Sequence, residues 1–136
     1  MKSIIKYAAS LAVLCAVAAP ALAEVVVIVN PKNAASHMTN EQVAQFFLGK
    51  STSLTPVDQA EGTGIRAEFY KKVADKEASQ VKAIWSKLVF TGKGNLPKEY
   101  PSSADVKKAV AGDPNLIGYI EKSAADASVK VVATLP

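Results

Sequence analysis

The chain has 136 residues, one histidine, one cysteine, and 16 basic against 12 acidic side chains, for a formal charge of +4. That length suits one domain, and a single cysteine excludes an internal disulfide. Lysines scattered among acids do not form the basic stripe that nucleic acid requires.

Lys2 and Lys6 precede the apolar run Tyr7–Ala19, and Pro20 and Ala21-Leu22-Ala23 follow it. This is the pattern of a secretory signal peptide cleaved before Glu24. The run is shorter than the roughly 20 residues of a membrane span. Lipidation of Cys15 is not expected, because the large Leu14 precedes it. The expected organisation is a signal peptide at 1–23 and one domain at 24–136. Cleavage would remove the thiol, lower the charge by two and leave no membrane span.

Val25–Val29 (VVVIV) is unbroken and β-branched, which predicts a strand buried on both faces. Asn30-Pro31-Lys32-Asn33 is a turn. Thr39 with Gln42 reads as a capping box, with Met38 stapled onto Val43. Val43, Phe46 and Phe47 form the apolar face of the helix, and Gly49 is placed to end it. Thr55–Asp58 reads as a short strand. A helix from about Thr63 follows, with Ile65, Phe69 and Val73 on one face. A further helix covers Ser79–Phe90, with Val81, Ile84, Trp85 and Leu88 inward. Thr91–Asn95 ends it, and Pro97 and Pro101 keep the next loop extended. Ser102 or Ser103 begins another helix that buries Val106, Ala109 and Val110. Asp113-Pro114-Asn115 is a turn. Ile117–Ile120 and Val129–Val132 read as strands, with a short helix over Glu121–Ala125. The order β-α-β-α-α-α-β-β makes a small α/β sandwich. Strand order does not follow from the sequence.

The segment Val57–Tyr70 (VDQAEGTGIRAEFY) carries most of the chemistry. A strand that ends in a glycine-bearing loop and enters a helix presents unsatisfied N–H groups and a partial positive charge. Together these suit an anion. Gly62 and Gly64 permit close approach, Thr63 offers a hydroxyl, and the single arginine, Arg66, is a forked donor or faces solvent. The alternative is an ordinary helix start capped by Thr63. The dinucleotide fingerprint is excluded by the missing third glycine, and a Walker loop by the missing Lys-Ser/Thr pair. Asn30, at a strand end where ligands of α/β folds gather, is a second candidate donor; turn formation explains it equally. His37 stands alone and reads as a surface or capping residue. Trp85 reads as core, and Tyr70 as packing at an edge. No nucleophile–base–acid set and no Gly-x-Ser-x-Gly elbow appears, so no enzyme, cofactor or metal is expected.

Four segments resemble the phosphate-binding proteins of bacterial ABC importers, two-lobed type II periplasmic binders. They are VVVIVNPKN (25–33), TNEQVAQFFLGK (39–50), GTGIRAEF (62–69) and IGYI (117–120). The resemblance implies one lobe of that fold, a periplasmic location, and a ligand set of Gln59, Gly62, Thr63, Gly64, Ile65 and Arg66 for phosphate or a related oxyanion. The chain departs from the pattern in two places. Ile65 stands where the family has a threonine, and Gln59 where it has an arginine. The lobe that precedes this region in the family has no counterpart here, which implies a second copy or another protein across the site. The alternative is a non-catalytic interaction or structural module on the same scaffold.

Overall fold

A computed structural model describes residues 24–136; the expected signal peptide, Cys15 included, lies outside the described residues. The strands are β1 (Val25–Val29), β2 (Thr55–Gln59), β3 (Lys98–Tyr100), β4 (Leu116–Glu121) and β5 (Lys130–Leu135). They form one mixed sheet in the order β3-β2-β4-β1-β5. The helices are α1 (Asn40–Phe47), α2 (Gly64–Ala74), α3 (Ala78–Phe90) and α4 (Ser103–Ala111), with a 3₁₀ turn at Lys122–Ala124. β2 runs parallel to β3 and β4, whereas β1 is antiparallel to both β4 and β5. β2, β3 and β4 therefore end at one edge of the sheet, where β1 begins.

Every residue of β1 is buried. The strand period of two sends its side chains alternately to opposite faces. Val25, Val27 and Val29 meet Phe47, Phe69, Tyr70 and Tyr119 on the face covered by α1 and α2. Val26 and Ile28 meet Val106, Val110 and Ile120 on the α4 face. The unbroken apolar run thus reflects helices on both faces, although the strand is antiparallel to its neighbours.

Local signals place the helices. In α1, Thr39 Oγ1 accepts from the Gln42 N–H (3.2 Å) and Gln42 Oε1 accepts from the Thr39 N–H (2.9 Å), the expected capping box. Gly49 follows the helix at φ +74°, a left-handed angle that only glycine adopts without strain. α3 packs on α2 as an outer layer. Its buried stripe is consequently narrower than expected: Val81 and Trp85 are buried, while Ile84 and Leu88 are half-buried.

Three expectations are corrected. The loop between Pro97 and Pro101 contains β3, which pairs with β2 in parallel register. It is three residues long and carries exposed Lys98 and Glu99, so no apolar alternation reveals it. The last strand is displaced to Lys130–Leu135 from the expected Val129–Val132. Tyr70 is fully buried and does not pack at an edge, because its hydroxyl reaches a carboxylate inside the fold.

Gly118 lets α4 approach the sheet. A Cβ there would lie 2.7 Å from Val106 Cγ1, 3.1 Å from Val57 Cγ2 and 3.3 Å from Val110 Cγ2. Overpacking of this kind costs about 1–3 kcal/mol. Gly118→Ala is expected to lower the unfolding free energy by that amount, read as a lower urea midpoint at an unchanged m-value.

Candidate functional site

β2 and β3 are parallel neighbours, and each leads into a helix: β2 into α2, β3 into α4. Both helices therefore start at the same edge of the sheet, outside the carboxyl ends of parallel strands, where α/β folds hold ligands. Their first turns share a cleft of about 560 Å³. Thr63, Gly64 and Ile65 line it from α2, Ser102, Ser103 and Ala104 from α4, with Gln59, Pro101 and Glu121 between them.

The two helix starts differ. Ser102 caps α4: its Oγ accepts from the Asp105 N–H (3.2 Å) and donates to Asp105 Oδ2 (3.0 Å), which already brings a carboxylate to that end. α2 has no side-chain cap. Thr63 stands at its N-cap position, but its hydroxyl donates backward to the Ala60 carbonyl (2.8 Å). The first turn of α2 keeps its N–H groups for an outside partner. Gly62 holds the turn at φ +85°, and an added Cβ at Gly64 would meet nothing within 4 Å, so the backbone there is open to approach.

Gln59 ties the two helix starts together. Its Nε2 donates to Ser103 Oγ (3.0 Å) and to the Tyr119 carbonyl (3.1 Å). Ser103 Oγ also accepts from the Glu121 N–H (3.2 Å), which leaves its own proton to donate. Ser102 and Ser103 were expected only as a helix start. Their place beside the glycine loop depends on the β2–β3 pairing, which the sequence conceals.

Arg66 neither reaches back to the loop nor faces water. It is 6% exposed, its Nη1 donates to the Gln59 carbonyl (3.0 Å), and the same nitrogen is 3.1 Å from Glu99 Oε2. Its Nε lies 3.9 Å from Asp58 Oδ2. Burial works against the Arg66 charge, but Asp58 and Glu99 outweigh it and the pKa is raised. The guanidinium lines a separate pocket of about 220 Å³ with Asp58, Glu99 and Trp85. Asp58 is buried beneath it and accepts hydrogen bonds from Tyr70 Oη (2.5 Å), Tyr119 Oη and the Gln59 N–H (2.8 Å). The cleft between the two helix starts is lined by no Lys or Arg among the described residues.

Asn30 is also elsewhere. β1 is antiparallel to β4, so its carboxyl end lies at the opposite edge of the sheet from Gln59. Asn30 Nδ2 donates to the carbonyls of Val110 (3.0 Å) and Ala111 (2.9 Å), satisfying the last turn of α4. Its Oδ1 accepts from the Lys32 N–H (2.9 Å) and forms the turn. His37 is exposed, and Trp85 is core, with Nε1 donating to the Phe47 carbonyl (2.8 Å). Among the described residues no group of three or more His, Cys, Asp or Glu side chains is placed to hold a metal ion.

The fold resembles one α/β lobe of the type II periplasmic binding protein architecture. Among solved structures, the chain is similar to a substrate-binding protein from Clostridium perfringens assigned to a phosphate ABC transporter and holding bound phosphate (24% identity, TM-score 0.65). It is also similar to an ABC-type phosphate transport receptor from Vibrio cholerae (18%, 0.62) and to PstS from Borrelia burgdorferi (14%, 0.54). These matches cover 81%, 81% and 82% of this chain but only 45%, 46% and 47% of those chains. No family model matches the chain, and no curated protein does.

Proposed function

We propose that the protein is an exported, periplasmic binding module, freed from residues 1–23 by cleavage, that holds phosphate or a related oxyanion at the start of α2 without catalysing a reaction. The observation that carries this reading is the uncapped first turn of α2 opening onto a cleft that a second helix start also faces. In this reading the Gly64 and Ile65 N–H groups donate to the anion, and Thr63 and Gly62 shape the loop. The Ser103 hydroxyl donates from the other side. Gln59 positions the two helices, while Arg66 and Asn30 brace the frame. The phosphate held by one structural neighbour supports the choice of ligand to test.

The cleft is open, and contacts with an anion in a high-dielectric setting are weak. The exposed Glu121 at its rim opposes a fully charged ligand. These two features favour a second reading, in which another copy or another protein covers the cleft and the lobe acts as an interaction module.

Calorimetric titration with inorganic phosphate at low salt tests the first reading. Gly64→Pro removes one N–H donor at a position where proline is tolerated. Thr63 (φ −78°, ψ 142°) already has the extended backbone that a residue before proline needs. A hydrogen bond to a charged group contributes about 1.5–3 kcal/mol, so Gly64→Pro is expected to weaken phosphate roughly tenfold or more with Tm nearly unchanged. No heat from the unmodified protein up to millimolar phosphate would sink the oxyanion reading.

A further inference from the structure

Arg66 satisfies only part of its guanidinium. Nη1 makes the contacts to the Gln59 carbonyl (3.0 Å) and to Glu99 Oε2 (3.1 Å). Nε is buried and has no hydrogen-bond partner among the described residues, on a residue that is only 6% exposed. Leaving a buried donor in that state costs about 1–3 kcal/mol.

Asp58 does not supply the missing partner. Its Oδ2 lies 3.9 Å from Nε, too far for a hydrogen bond. The carboxylate is held where it is by three donors: the Gln59 N–H (2.8 Å) and Tyr119 Oη on Oδ1, and Tyr70 Oη (2.5 Å) on Oδ2. A carboxylate oxygen accepts two bonds, so Oδ2 keeps one lone pair. An unused donor and an unused acceptor thus stand 3.9 Å apart.

Both residues line the pocket of about 220 Å³ that α2, α3 and β3 enclose. Trp85, Leu96 and Pro97 give this pocket an apolar wall. Glu99 and the Glu61–Lys82 pair (2.8 Å) add charged groups. Three carboxylates stand against two cations, an excess of one negative charge, which disfavours an anion. A cation would face Arg66 and Lys82 and would leave the Nε donor unsatisfied. No three acidic, His or Cys side chains among the described residues are placed to hold a metal ion. A neutral group remains. One oxygen that accepts from Nε and donates to Oδ2 spans the gap with two bonds of about 2.8 Å. A hydroxyl or a water combines both roles on one atom, whereas an amide divides them between two. The pocket is several times the roughly 30 Å³ that one water occupies, and smaller than the roughly 300–1,000 Å³ of sites for drug-sized ligands.

We propose that this pocket binds a small neutral polyol of about the size of one monosaccharide. One hydroxyl bridges Arg66 Nε and Asp58 Oδ2, and others meet Lys82 and Glu99. The C–H face of the ligand lies on Leu96, Pro97 and the edge of Trp85. Hydrogen bonds to ionised groups are the stronger ones, and covering Leu96, which is 60% exposed, adds apolar burial. The site is separate from the cleft at the start of α2 and does not depend on the oxyanion reading.

Arg66 and Trp85 are the single arginine and the single tryptophan of the chain, so each gives one side-chain N–H signal in a ¹⁵N spectrum. Titration of the ¹⁵N-labelled protein with D-glucose and with myo-inositol is expected to move the Arg66 Nε–H and Trp85 Nε1–H signals saturably with at least one of the two. Inorganic phosphate should leave both signals in place. Arg66→Lys keeps the charge but removes the fork, and should abolish the Trp85 shift. Leu96→Ser, at an exposed position, should weaken binding roughly tenfold with circular dichroism unchanged. Shifts with neither polyol would overturn the proposal and leave the pocket to water. Shifts with phosphate alone would overturn it in favour of an anion. Undiminished binding by Leu96→Ser would overturn it by putting the polyol outside this pocket.

Discussion

Asp58→Ala is expected to destabilise the fold by about 3–5 kcal/mol, the range for removing one member of a buried charged set. The Asp58 carboxylate is 3% exposed in side chain and backbone together, and it collects the hydroxyls of Tyr70 and Tyr119, a backbone N–H and the neighbourhood of Arg66. Without it, two phenolic hydroxyls lose their acceptor, and Arg66 keeps only Glu99, which is half-exposed, to balance its charge. A buried donor without a partner costs about 1–3 kcal/mol, so the losses reinforce one another. Urea denaturation would show the effect as a lower midpoint. A change below about 1 kcal/mol would mean that water replaces the carboxylate and that the network is not a structural keystone.

The second large effect is alkaline. Burial, followed by the negative charge of Asp58, pushes the hydroxyls of Tyr70 and Tyr119 far above the ordinary tyrosine range. The folded state therefore keeps both protons when an unfolded tyrosine, near pH 10, has begun to lose its own. Their folded pKa values are raised, so this contribution is complete below about pH 10 and is lost as pH rises beyond it. Each phenol contributes about 1.36 kcal/mol per pH unit, or about 2.7 kcal/mol for the pair. Urea denaturation at about pH 9 and about pH 11 should show a total loss of about 2.7 kcal/mol over this window, since the full slope applies only above about pH 10, and Tyr119→Phe should remove about half of it. An unchanged slope in that variant would show that the Tyr119 hydroxyl titrates freely in the folded state.

What the sequence revealed and what it hid follow from the range of the interactions involved. The capping box at Thr39, the stop at Gly49 and the two-faced burial of Val25–Val29 are local or periodic features, and the structure has all of them. The helix after Gly62-Thr63-Gly64 was also legible, because its signal is a loop and an apolar face within a few residues. The surroundings of Arg66 were not. Its side chain is claimed by Asp58 of β2 and Glu99 of β3, and β3 has no apolar pattern by which to recognise it. The same hidden strand brings Ser102 and Ser103 to the cleft. Asn30 was misleading for a related reason: strand direction decides which edge of the sheet receives a strand end, and a run of valines carries no direction. Ser102-Ser103 at a helix start was the available sign of a further donor, since Ser102 caps α4 and Ser103 keeps a free proton.

In the proposed reading the candidate cleft is an anion site with reduced electrostatic grip. The chain's single arginine, which lines a separate pocket, stiffens the joint between β2, β3 and α2, and Gln59 sets the spacing of the two helix starts. In that reading, affinity depends on backbone donors and one hydroxyl, with Glu121 nearby as an opposing charge. A partner covering the cleft would exclude water and strengthen each of those contacts.

Titration of ¹⁵N-labelled protein with inorganic phosphate, followed by amide chemical shifts, tests the central claim most directly. Saturable shifts are predicted at Gly64 and Ile65, with smaller ones at Ser103 and Ala104 across the cleft. Absence of saturable shifts there, or shifts confined to Asn30 and Lys32 at the opposite edge of the sheet, would contradict it.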